Sequence, residues 1–202
     1  PTSEGKARAL ELLAHNQYAG PAPVLFDDYV ACVQRQTVRH MDVHPAQLSA
    51  AFEHLVLDEQ TLTQLGTAVV SGKAIFLCGP PGTGKTTVAE TLARLFRDDT
   101  IRVPYAVEID GQIVTVFDPH VHRPVEEVPE SPDGDGRWVV CRRPCVIVGG
   151  ELTIEMLDLQ FNPITKYYAA PVQMKANNGL LIIDDFGRQR VRPEELLNRW
   201  VV

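Results

Sequence analysis

Gly79-Pro80-Pro81-Gly82-Thr83-Gly84-Lys85-Thr86 fits the pattern G-x-x-x-x-G-K-[ST] at every position. At average residue usage the bare pattern arises by chance in roughly one chain in a hundred of this length. The residue types state the chemistry. Gly82 and Gly84 let the backbone curl so that successive N–H groups face an anion. A helix starting behind them adds partial positive charge. Lys85 is expected to reach the β- and γ-phosphates of a nucleoside triphosphate, and the Thr86 hydroxyl to ligate magnesium. The expected nucleotide-binding stretch runs over Gly79, Pro80, Pro81, Gly82, Thr83, Gly84, Lys85, Thr86 and Thr87.

The flanks agree with a strand–loop–helix unit. Ala74-Ile75-Phe76-Leu77-Cys78 is a short apolar run, which predicts a buried parallel strand. Residues 87–96 carry apolar side chains at helical spacing, so the loop joins a strand to a helix.

Working outward, residues 4–15, 27–39 and 45–54 read as helices, the third with Pro45 in its first turn. Asp58 is a good N-cap for a helix reaching about Val70. Residues 101–108 and 112–117 read as strands joined by the hairpin signal Asp110-Gly111. The segment 118–137 is rich in Pro, Glu, Asp and Gly and reads as an exposed, mobile loop. Residues 138–141 and 145–148 return to strand composition, 151–159 to helix, and 193–200 to a closing helix opened by Pro193.

A nucleotide site also needs a carboxylate for magnesium at the C-terminal end of a buried strand. Leu180-Leu181-Ile182-Ile183-Asp184-Asp185 has that form. Asp184 is assigned to magnesium, and Asp185 to orienting or deprotonating the attacking water.

With both motifs in view, residues 52–96 resemble the opening of an AAA+ ATPase module, and Asp184-Asp185 resembles its Walker B motif. The usual ending there is Asp-Glu. The Asp-Asp found here is similar to that of replica-initiator and helicase-loader branches and of transposition-helper ATPases. Asp is one methylene shorter than Glu, so the departure bears on hydrolysis rather than on binding.

The resemblance implies an α/β, three-layer P-loop sandwich with a parallel sheet, preceded by a small helical segment. The expected division is a helical segment at 1–50 and a nucleotide-binding core at 51–202, with a hairpin and acidic-loop insertion at about 101–145. The chain stops soon after Asp185, so the resemblance implies an incomplete module of bacterial type. Sensor 1, the arginine finger, and the lid with sensor 2 would lie beyond Val202.

The function implied is Mg2+-dependent ATP hydrolysis that remodels a protein or a protein–nucleic acid assembly. A homo-oligomeric ring, such as a hexamer, would supply an arginine in trans. Two alternatives stand beside it: a slow nucleotide-dependent switch or assembly module, and a helicase-loader-like ATPase acting at DNA.

Phe161 and Tyr167 lie where such enzymes carry a pore loop, but lack the aromatic-hydrophobic-Gly triplet; packing on the core is favoured. Arg188, Arg190 and Arg192 read as a solvated basic turn rather than as contacts to a neighbouring subunit or a substrate strand. His120, His122, Cys141 and Cys145 offer four zinc-type ligands, with reduced cysteines as the default.

The net charge of −7 gives no global basic field, so nucleic acid is not a favoured partner. No apolar run approaches the roughly 18 residues of a membrane helix. The four cysteines suit a reducing compartment, and the expected location is the cytoplasm.

Overall fold

In the computed structural model, which describes residues 2–38, 43–96, 99–125 and 134–199, the helices starting at Ser3 and Glu59 begin behind a side-chain cap, and those starting at Pro45 and Pro193 begin on a proline. Helix α1 (Ser3–His15) starts behind Thr2, whose hydroxyl accepts from the Gly5 N–H. A short strand, β1 (Val24–Leu25), leads into α2 (Phe26–Arg35). Helix α3 (Pro45–Phe52) has Pro45 at its start, where a missing N–H costs nothing. Helix α4 (Glu59–Val70) is capped by Asp58, which accepts from the Thr61 N–H at 2.7 Å. Helix α5 (Lys85–Leu95) follows the glycine-rich loop. Leu48 and Phe52 of α3, Leu65 of α4 and Leu92 of α5 are buried together, with Leu77 and Val88 packed against them. This cluster seats the helix that carries Lys85 and Thr86.

The strands are β2 (Thr100–Pro104), β3 (Ala106–Ile109), β4 (Gln112–Thr115), β5 (Trp138–Arg142) and β6 (Cys145–Val148). Next come β7 (Gln160–Asn162), β8 (Tyr167–Ala169), the short helix α6 (Val172–Lys175), β9 (Leu180–Ile183) and α7 (Pro193–Asn198). A mixed sheet has the order β1-β3-β4-β8-β7; β2 pairs antiparallel with β5, and β6 pairs parallel with β9.

The β3–β4 hairpin turns at Asp110 and Gly111, both at positive φ (49° and 77°), as a type I′ turn requires. Val24 and Tyr29 share one buried cluster with Ile101, Val103, Val107, Val114, Val116, Cys141 and Ala170. The N-terminal strand and helix thus pack on the hairpin. A second cluster joins Val148, Leu152, Leu157, Val191 and Leu196, with Val146, Leu181 and Ile183 against it. It fixes the β6·β9 pair beneath α7.

Four expectations are corrected. Residues 74–78 form no strand and pair with none among the described residues, and Phe76 is 69% exposed. An apolar run needs a ladder partner on each edge to be buried as a strand, and this one has none there. The strand expected at 101–108 is two strands. Tyr105 divides them: its N–H donates to the Arg137 carbonyl while its own carbonyl accepts from the Val116 N–H. Residues 151–159 hold only a 3-10 turn at Glu155–Leu157.

The last correction concerns 118–137, of which 126–133 lie outside the described residues. The preceding part is anchored. His122 is 1% exposed; its Nδ1 accepts from the Asp118 N–H at 3.0 Å, and its Nε2 therefore donates to the Lys175 carbonyl at 2.9 Å. The Lys175 ammonium donates to Asp118 at 2.8 Å. Partial burial opposes ionisation of Asp118, but hydrogen bonds and charge from Lys175 and His120 outweigh it and hold the carboxyl at about 2.

Burial pushes the His122 pKa below its ordinary 6.5, and protonation would also set an Nδ1–H against the Asp118 N–H. Below pH 6.5 the unfolded chain therefore binds a proton that the folded chain resists. The His122 contribution is complete above that pH and lost as pH falls beneath it. Thermal unfolding should show a lower midpoint at about pH 5.5 than at about pH 7.5. His122→Gln should be less stable than wild type at the higher pH and lose less on acidification.

Candidate nucleotide site

The site is built where α5 begins and β9 ends. Gly82 and Gly84 both sit at φ 78°, a left-handed conformation that side chains rarely adopt. Neither would crowd a Cβ, so backbone conformation rather than space demands glycine. Gly84 is the residue before α5 and aims the first helical N–H groups at the loop. The Thr83 hydroxyl donates to the Pro80 carbonyl at 2.9 Å and closes the loop on itself. The Lys85 ammonium donates to the carbonyls of Gly79 (3.1 Å) and Pro80 (2.8 Å), which holds the cation over the loop. Pro81 and Thr87 are exposed beside it.

The second half arrives through the sheet. All four residues of β9 register with β6, and the Asp184 N–H donates to the Val148 carbonyl at 2.8 Å, which extends the ladder by one residue. The acid therefore stands at the carboxyl end of a parallel pair, where α/β sheets bind ligands. There the Thr86 hydroxyl donates to Asp184 Oδ2 at 2.9 Å across 98 residues of sequence. Asp184 Oδ1 accepts from the Asp185 N–H, also at 2.9 Å. Both carboxylate oxygens are thus oriented. Phe76 meets Phe186 edge-on at 5.3 Å, which brings the segment before the loop against the turn after the acids.

Asp185 has φ 52° and an exposed carboxylate 3.6 Å from the Arg188 guanidinium. A pair this exposed contributes little energy. The turn that follows bonds the Arg188 N–H to the Asp185 carbonyl, with Gly187 at φ 95°. The side chain of Gln189 bonds the backbone of Asp184, Asp185 and Gly187. Sequence reading missed Gln189; its only local signal is an amide two residues past a turn glycine.

Other candidates fall outside this constellation. Phe161, expected to pack on the core, is instead 51% exposed and meets Tyr168 (5.0 Å between ring centroids), while Tyr167 meets Tyr18 (5.8 Å), within and beside the β7–β8 hairpin. Arg192, the residue before α7, pairs with Glu195 in that helix's first turn. Both ring nitrogens of His122 are occupied, none of the four cysteines is in a disulfide, and no cluster of metal-ligating side chains occurs among the described residues.

The mixed α/β architecture, with its parallel β6·β9 pair and a glycine-rich loop opening α5, is consistent with the fold of a P-loop nucleoside triphosphatase. Residues 75–148 match the model of the ATPase family associated with various cellular activities (AAA). The match runs from the segment before the loop to the end of β6 and supports an ATP-binding ATPase of that kind. No curated protein matches the chain. Among the described residues no helix is long and apolar enough to cross a membrane.

The left-handed backbone at Asp185 is testable by substitution. Asp185→Val places a β-branched residue where it is least tolerated and should cost about 1–2 kcal/mol in urea unfolding. Asp185→Gly should cost less than Asp185→Val, because glycine accepts that φ without strain.

Proposed function

We propose that this chain is the nucleotide-binding part of an AAA+ ATPase of bacterial type, which hydrolyses ATP with magnesium to remodel a protein or protein–nucleic acid assembly. The observation that carries the reading is the Thr86–Asp184 hydrogen bond, because it joins the two halves of one site from remote parts of the sequence. A hydroxyl and a carboxylate oxygen 2.9 Å apart form an oxygen donor set that fits a hard cation such as magnesium. When bound, magnesium would neutralise charge on the β- and γ-phosphates.

The remaining roles belong to the chain itself. N–H groups from Gly82 to Thr86 cradle phosphate oxygens at the start of α5. The Lys85 ammonium exchanges its two carbonyl partners for phosphate oxygens. Thr86 and Asp184 hold the metal side. Asp185 orients the water that attacks the γ-phosphate in line and accepts its proton. Cysteines outside any disulfide suit a cytoplasmic protein, and the family match favours a homo-oligomer that supplies an arginine in trans.

One observation favours a slower, switch-like ATPase as a second reading. The Asp185 carboxylate is one methylene shorter than that of a glutamate and lies exposed 3.6 Å from the Arg188 guanidinium, so it reaches less far toward an attacking water.

Lys85→Ala should weaken ATP binding at least ~30-fold, the cost of removing a charged partner from phosphate. Unchanged affinity in a fluorescent-nucleotide titration contradicts the reading. Asp185→Asn should keep binding and lose roughly 10²–10⁴ in turnover, as loss of a general base does. Turnover that persists removes Asp185 from that role.

A further inference from the structure

We propose that Gln189 is a positioning residue for the two acids. The proposal rests on the reading of Asp184 as the metal-side acid and Asp185 as the water-orienting acid.

Gln189 is half-buried and spends its whole amide on the main chain of the acidic turn. Its Nε2 donates to the Asp184 carbonyl at 2.7 Å and to the Asp185 carbonyl at 3.0 Å. Its Oε1 accepts from the Gly187 N–H at 2.7 Å. Two donors and one acceptor, in that arrangement, belong to an amide; a carboxylate has no N–H to offer and an alkyl chain has neither.

These bonds fall on the peptide units that set both carboxylates. The Asp185 N–H that orients Asp184 belongs to a residue at φ 52°, a conformation Asp holds at a cost. The staple ties the carbonyls on both sides of that strained residue. Gln189 therefore fixes the direction of the Asp185 N–H, and through it the oxygen that Asp184 presents beside Thr86. It touches neither acid's carboxylate, so it acts through them.

The test compares the affinity of a fluorescent ATP analogue in magnesium and in EDTA for the full chain. Gln189→Leu should keep wild-type affinity in EDTA and lose roughly ten- to a hundredfold of the gain that magnesium gives, the usual effect of removing a group that orients a metal ligand. Gln189→Glu retains an acceptor for Gly187 but no donor for the two carbonyls, and should do the same. Variants that keep the wild-type magnesium gain overturn the proposal. So does an equal loss in both buffers, which marks a role in the loop as a whole. Failure of both variants to fold overturns it too, since the staple would then hold the fold rather than the acids. A wild-type chain with no magnesium gain, or a Lys85→Ala chain that binds as wild type does, overturns the nucleotide reading instead.

Discussion

One hydrogen bond, from the Thr86 hydroxyl to Asp184 Oδ2, ties together parts of the chain that otherwise fold around separate apolar clusters. Thr86 is carried by α5, which is held through Leu92 against α3 and α4. Asp184 is carried by β9, which is held by its pairing to β6 and by the cluster under α7. A single solvent-accessible hydrogen bond contributes only about 1 kcal/mol net. It cannot hold the two units together. Its value is alignment: the two clusters must already place the hydroxyl and the carboxylate in reach. The Phe76–Phe186 contact supports the same junction from its apolar side.

Around that junction the backbone is set by conformations with a cost. Gly82 and Gly84 meet theirs with glycine, while Asp185 adopts a left-handed φ and still carries a side chain. The strain sits at the residue assigned to the attacking water. The surrounding turn is correspondingly well bonded, through the Arg188 N–H and the Gln189 amide. Stability elsewhere is more ordinary: a buried neutral histidine, an ionised Asp118 beside Lys175, and hairpin packing of the N-terminal strand.

What was legible in the sequence was local. Asp58 and Pro45 announce helix starts because caps act within one turn, and Asp110-Gly111 announces a hairpin because type I′ geometry needs those residue types. The phosphate loop is legible for the same reason. What was not legible depends on remote partners. The composition of residues 74–78 predicts burial, but burial needs neighbouring strands that no local pattern specifies. The division at Tyr105 depends on Arg137 and Val116, and the burial of His122 on Lys175. In the candidate site, Asp184 was nameable from an apolar run ending in acids. Its contact with Thr86 was not, since 98 residues separate them.

If Thr86 and Asp184 act as one unit, a double-mutant cycle reveals it. The affinity for magnesium–ATP would be measured for wild type, Thr86→Val, Asp184→Asn and the double variant. Strong coupling is expected, with the double variant losing no more than the worse single variant. Losses that add in free energy would mean the two groups act independently, and would contradict it.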